Sequence, residues 1–512
     1  MSERELTCDV LVVGGGINGA GIARDAAGRG LSVVLCDQDD LGAHTSSAST
    51  KLIHGGLRYL EHYEFGLVRK SLIEREVLLR AAPHIIWPLR FVMPYDVGLR
   101  PTWMIRAGLG LYDHLARREL LPGSERIDLR RHPAGEPLRP EFHVGFAYSD
   151  GWVDDARLVL LNVIDSAERG AQVLPRARCE SAVRKDGVWH AQLEGPSGRV
   201  QVHARSLVNA AGPWAASFLG HVEPEREHAA LRLVKGSHIV VRRLFAHPFA
   251  YIFQHPDKRI VFAIPFERDF TLVGTTDVDY LGDPRRVDIE RDEIEYLCSL
   301  LDRYFPTRIT PEDVVWTYSG VRPLLEDEAR DASKVTRDYR LELEGHEAPL
   351  LSVFGGKLTT YRKLAEEAVD KLAPLLGVTR STWTETECLP GGDLFGAEPS
   401  NRSVLEFERF VETMRSRYPW VPAELMHRYT RAYGTRLERL LQGRTSLEAL
   451  GECFAPGLYE AEVRHWVDNE WATTPEDMLW RRSKLGLRVP ADTAQRIAQY
   501  LGRSESGARA VA

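Results

Sequence analysis

Residues Asp9 to Gly21, reading Asp-Val-Leu-Val-Val-Gly-Gly-Gly-Ile-Asn-Gly-Ala-Gly, constrain this chain more than any other stretch. The apolar run is too short for a helix and is closed by glycines, which predicts a buried parallel strand turning directly into a helix. The turn carries Gly14-x-Gly16-x-x-Gly19. Gly14 permits the tight bend, Gly16 lets backbone approach a pyrophosphate, and Gly19 lets the helix pack closely on the strand. Ile17 and Asn18 open that helix, whose N-terminal N–H groups face the anion. A second apolar run, Ser32 to Asp37, ends in a carboxylate about 20 residues past the glycines, where it accepts ribose hydroxyls. These features predict a dinucleotide site. The fingerprint does not distinguish FAD from NAD, and a glycine-rich turn without a ligand is the plain alternative.

At 512 residues the chain exceeds one ordinary core, so two or three packed units are expected. A formal net charge of -7 argues against nucleic acid as a general partner. The six cysteines are scattered and form no CxxC pair, which suits reduced structural thiols and offers no metal site. Met1 to Thr7 has no basic segment followed by an apolar one, and nowhere do about 18 apolar residues run together. Neither a standard export signal nor a membrane span is expected.

After the second strand, His44 to Leu60 is rich in small hydroxyl residues and ends on a glycine pair. That texture suits backbone passing close to a polar ligand, with Thr45, Ser46, Ser47, Lys51, Leu52, His54, Gly55 and Gly56 as candidate contacts; a solvated turn is the bland reading. Phe65 to Arg80 reads as an amphipathic helix. Across residues 84–121, aromatic and aliphatic side chains alternate with arginines, the pattern of a helix lying in a membrane interface or of an ordinary half-buried one. Asp154 or Asp155 is placed to cap a helix from Ala156 to Gly170. Strands are expected at Gln172 to Cys179, Trp189 to Leu193 and Ser206 to Ala210. The last runs into Ala211, Gly212 and Trp214, a second backbone wall for the same cofactor.

From residue 231 to 345 the pattern becomes period-2 alternation separated by polar turns, which predicts an antiparallel substrate sheet inserted into the nucleotide-binding unit. Leu350 to Arg362 then repeats strand, glycine pair, helix, so Gly355, Gly356, Lys357, Leu358 and Thr359 complete the cradle. The expected organisation is an α/β unit over residues 1–388, with cofactor-binding segments 1–80, 145–230 and 346–388 and substrate segments 81–144 and 231–345. A linker covers 389–400 and an all-α domain 401–512.

Taken together, the motifs resemble the FAD-dependent, membrane-associated aerobic glycerol-3-phosphate dehydrogenases over essentially the whole chain. The resemblance rests on Gly14 to Gly21, on Thr45 to Leu60, on Trp152 to Arg157 and on Lys235 to His238. Gly274 to Asp277, Tyr318 to Pro323, which includes Gly320, and Phe354 to Tyr361 complete it. The glycine fingerprint and Gly-Thr-Thr-Asp are shared with the wider amino-acid-oxidase-like flavoproteins; the Ser-rich segment and Tyr-Ser-Gly-Val-Arg-Pro are narrower. Asp37 stands where close relatives often have Glu, an equivalent acid for ribose.

The resemblance implies an amino-acid-oxidase-like fold, bound FAD, and oxidation of sn-glycerol 3-phosphate to dihydroxyacetone phosphate with electrons passed to ubiquinone or another membrane quinone. It also implies peripheral attachment to the cytoplasmic face of the inner membrane, and it leaves room for a homodimer. Such chemistry needs a phosphate anchor and a base for the C2 hydroxyl. Arg58, Tyr59, Arg322, Arg337 and Lys357 are the candidate anchors. His238 is the candidate base and His54 its competitor; Arg322 and Lys357 also sit near the expected chemistry. The rival readings are a glycerol-3-phosphate oxidase using oxygen, an NAD-dependent dehydrogenase, and a non-catalytic membrane-docked flavin-binding protein.

Overall fold

The computed structural model describes residues 4–96, 100–223, 231–255, 259–325, 338–345 and 347–511, with side chains described as far as Arg503. Two sheets form its frame. The first has eight strands, and its main path runs Tyr339–Glu344, Leu350–Gly355, Gly198–Asn209, Arg4–Val13, Val33–Cys36, Gln172–Leu174. Its interior pairings are parallel, with Val10 level with Val33 on one side and Ser206 on the other. Val10, Leu11 and Val12 are fully buried because helices cover one sheet face and a hairpin with a short helix covers the other. The fingerprint helix Ile17–Gly28 packs against Asp155–Glu168 and Tyr361–Leu376 through alanines and aliphatic residues.

The second sheet has ten strands and contains the expected alternating run as Leu231–Arg242, Ala250–Gln254, Ile260–Phe266 and Phe270–Gly274. Two features depart from the expected partition. Strand Val144–Val153, read as part of a cofactor segment, belongs to this sheet, where it pairs with Ile86–Pro94. The stretch read as one interfacial helix divides into that strand and the helix Thr102–His114. A buried-face strand such as Ile-Trp-Pro-Leu-Arg-Phe-Val-Met has the same apolar content as a membrane-facing helix, and its partner lies more than fifty residues away in sequence.

Asp154 caps the helix Asp155–Glu168, its side chain accepting from the Arg157 N–H. Beyond residue 400 the chain is helical apart from a two-stranded pair, Cys453–Ala455 with Leu458–Tyr459. These helices bury their own apolar clusters around Phe410, Met426 and Tyr429, and around Val463, Trp466 and Met478. No described helix is long and apolar enough to cross a membrane.

Candidate active site

The cleft begins where the fingerprint strand ends. At Gly14 the backbone turns with φ +110°, and a Cβ there would overlap the Ala210 carbonyl; a Cβ on Gly19 would overlap the Gly14 carbonyl. Strand, turn and helix therefore pack backbone to backbone, which leaves the helix entrance open to a ligand. The first part of the cleft is lined by Gly14, Gly16, Ile17 and Asn18, by Asp37, Thr45 and Ser46, by Ala211, Gly212 and Trp214, and by Gly355 and Gly356. Asp37 accepts from the Gly15 N–H at 2.6 Å and the Asp39 N–H at 2.9 Å. Loss of surrounding water nevertheless raises its pKa to about 6. Asn18 Oδ1 is buried at the cleft with no hydrogen-bond partner among the described residues. These residues fit a dinucleotide: a glycine cradle at a helix N-terminus, a carboxylate for ribose and an unsatisfied polar atom on a residue of the cleft wall.

The second part continues from the first, sharing Ile17, Thr45, Ser46, Pro323 and Gly356 on its walls. Leu52, His54, Gly56, Arg58, Tyr59, Gly320, Arg322, Lys357 and Leu358 all line it, so four of the five expected anchors meet in one space. Arg337, the fifth, lies outside the described residues. Arg322 is held by Asp277 at 2.5 Å and by the Thr275 hydroxyl at 2.9 Å. A Cβ on Gly236 would overlap its guanidinium, so the glycine of the neighbouring strand makes room for it. Lys357 Nζ donates to the His54 carbonyl and lies 5.2 Å from the Tyr59 ring centroid. Asp277, Thr275 and Gly236 were visible in the sequence as motif members, but nothing marked them as the support for Arg322.

Several expected site residues stand behind the cleft rather than on it. His238 is fully buried, stacked on Tyr318 with ring centroids 4.7 Å apart, and its Nε2 lies 3.0 Å from the Thr50 hydroxyl. Burial, then the charges of Arg322 and Lys51, hold its pKa well below the ordinary histidine range. This corrects the expectation that its imidazole meets a substrate directly: Thr50 lines the cleft and His54 does too, whereas His238 does not. Lys51 is likewise corrected as a cofactor contact. Its ammonium is buried on Asp155 at 2.7 Å, and the same carboxylate accepts from Ser49 N–H and hydroxyl at 3.1 and 2.7 Å.

The Ser-rich loop is thus held from behind by a helix N-terminal acid. Ser47 donates to the His44 carbonyl at 3.3 Å and Thr359 accepts from the His54 N–H at 3.1 Å. The Gly55 N–H donates to the Tyr112 hydroxyl at 2.8 Å; that hydroxyl donates to Asp150, which Arg75 holds at 2.7 Å. None of Ser47, Gly55, Gly19 and Thr359 lines the cleft; each shapes it.

Residues 9–362 match the family of FAD dependent oxidoreductases, and residues 382–504 match the C-terminal domain of alpha-glycerophosphate oxidase. The chain is 52% identical over 496 residues to a glycerol-3-phosphate dehydrogenase of Pseudomonas aeruginosa, covering 96% of this chain and 94% of the relative. It is 49% identical over 487 residues to a D-erythritol 1-phosphate dehydrogenase of Brucella abortus, covering 94% and 95% respectively. In three dimensions it is similar to the glycerol-3-phosphate dehydrogenase from Bacillus halodurans complexed with FAD, with a TM-score of 0.74, 27% identity, and coverage of 98% of this chain and 95% of that one.

Proposed function

This chain belongs to the FAD-dependent oxidoreductase family, and on that premise we propose that it oxidises sn-glycerol 3-phosphate to dihydroxyacetone phosphate and delivers the electrons to a membrane quinone. The observation that carries this reading is the convergence of Arg58, Arg322, Lys357 and Tyr59 at the end of a cleft continuous with the glycine cradle. Bound FAD supplies the two-electron acceptor. Arg58, Arg322 and Lys357 hold the substrate phosphate; Asp277 and Thr275 keep Arg322 in place for it. His54, a residue of the cleft wall, takes the proton of the C2 hydroxyl. His238, a poor proton acceptor where it lies, fixes the Thr50 hydroxyl instead. Ile252, Ile260 and Phe262 give that end an apolar wall that limits water.

Peripheral membrane attachment belongs to the same proposal. Helix Thr102–His114 exposes Trp103 and Met104 at 70% and 44%, and Tyr63 stands 80% exposed after the turn Leu57–His62 that packs on this helix. That turn carries Arg58 and Tyr59, so the apolar face borders the cleft. Aromatic side chains with nearby arginines, such as Arg106 and Arg117, suit an anionic lipid surface.

Anaerobic addition of glycerol 3-phosphate should bleach the flavin absorbance of the purified protein, and a quinone analogue should restore it. Absence of bleaching overturns the reading. Faster bleaching by D-erythritol 1-phosphate changes the substrate, and stoichiometric peroxide without quinone reduction makes the protein an oxidase.

A further inference from the structure

The C-terminal domain touches the catalytic unit through buried charges that the chemistry above does not use. Its segment 470–488 includes a widened helical turn of π type, Asp477–Arg482. From it, Arg481 Nε reaches Asp40 at 2.6 Å, and Arg482 reaches the same carboxylate through both terminal nitrogens, one of them at 2.9 Å. Arg176, in the turn after strand Gln172–Leu174, lies 3.5 Å from Asp40 and is tied to Asp477 at 2.9 Å. Asp477 also accepts the Thr473 and Thr474 N–H groups at 2.9 Å each. Asp40, Arg482 and Asp477 are each at most 2% exposed.

Asp40 lies three residues past Asp37, in the loop whose residues Asp37, Gln38, Gly42, Ala43, His44, Thr45 and Ser46 line the cofactor end of the cleft. Asp40 itself faces away from that cleft, toward the arginines. The loop is therefore gripped on two sides: Asp37 by the Gly15 N–H in front, Asp40 by the C-terminal domain behind. The same segment reaches the second sheet, where Trp480 stacks on Trp316 at 4.5 Å and Arg488 pairs with Asp269 at 3.0 Å. Burying two guanidinium groups and a carboxylate costs desolvation and makes the contact directional in return.

We propose that segment 470–488 is a strap that holds the Asp37–Ser46 loop closed over the adenosine half of FAD, so that cofactor release requires the strap to lift. Arg481 and Arg482 are then positioning residues for the cofactor, acting through Asp40. Closure and binding are linked: whatever FAD gains from the closed strap, the strap gains from FAD.

The test follows flavin release from diluted holoenzyme by recovery of free-flavin fluorescence. Arg482→Met should speed release by about tenfold or more, whereas Arg439→Met, which removes an exposed pair with Glu168 at the same domain boundary, should leave it within about twofold. Wild-type release by Arg482→Met holoenzyme overturns the proposal. Hydrogen exchange on the wild-type holoenzyme tests it without any substitution. If strap opening releases FAD, raising free FAD about tenfold should slow exchange in residues 470–488 by up to about tenfold, in step with residues 37–46. Strap exchange that ignores free FAD overturns it, and it decides the matter if the variant yields no holoenzyme.

Discussion

In the proposed function the two ends of the cleft, a cofactor end and a substrate end, recognise their ligands with different materials. The cofactor end is mostly backbone: a strand, a glycine turn and a helix N-terminus joined within about twenty residues, with two further small-residue turns brought alongside. The substrate end is built of side chains, three of them cationic: Arg58, beside the neutral Tyr59, on a short turn, Arg322 on a strand, and Lys357 before a helix. Two of these have supports from far along the chain: Asp277 holds Arg322 and the His54 carbonyl holds Lys357. Backbone recognition fails when space is lost, whereas side-chain recognition fails when one charge is lost. Damage at the two ends should therefore look different.

The largest effect is expected from Gly19→Val. Its side chain meets the Gly14 carbonyl, so the helix cannot seat on the strand, and the protein should be recovered without flavin absorbance. A normal yellow holoenzyme would show that the cofactor end does not depend on this contact.

Arg322→Ala should be smaller and of another kind. Flavin content stays normal, while kcat/KM for glycerol 3-phosphate falls by roughly 10- to 150-fold, matching about 1.5–3 kcal/mol for charge-assisted bonds to phosphate. Glycerol, lacking the phosphate, should be nearly unaffected. Equal losses on both would remove Arg322 from the anchor.

The smallest effect is expected from His238→Asn. Because the imidazole sits behind Thr50 and stays neutral well below the ordinary histidine range, the rate of anaerobic flavin bleaching should fall by less than about tenfold, against the 10²–10⁴ typical of a general base. Stability carries the matching sign. Below about pH 6.5 the unfolded chain binds a proton at this residue that the folded one refuses, so acid destabilises the native protein by up to about 1.4 kcal/mol per pH unit. The variant should lose that part of the slope in denaturant titrations. A loss of bleaching rate in the general-base range would hand the role back to His238.

How much of this was legible in the sequence follows the same division. The glycine turns could be read because each is a local unit in which strand, turn and helix are consecutive; Gly14, Gly16, Asp37, Gly212 and Gly356 line the cleft. Lys51 and His238 also stand in informative motifs, yet both are buried behind the wall. A motif identifies residues that travel together; which of them face the ligand depends on strand alternation and on partners such as Asp155 and Thr50, which lie far away along the chain. The strand Ile86–Pro94 was unreadable for a related reason, since its apolar residues suit a buried sheet and a lipid-facing helix equally.

By itself, then, the sequence determined the dinucleotide-binding unit, its three glycine turns, the alternating substrate sheet and the helical C-terminal region, because periodicity and turn chemistry act over short spans. Tertiary structure alone decided which cations share one space, that His238 lies behind its wall, and that Arg481 and Arg482 close on Asp40 some 440 residues earlier in the chain. Charges separated by that much sequence leave no local signature. Their pairing is set by the packing of whole domains, where desolvation makes each buried charge depend on the partner that the fold delivers.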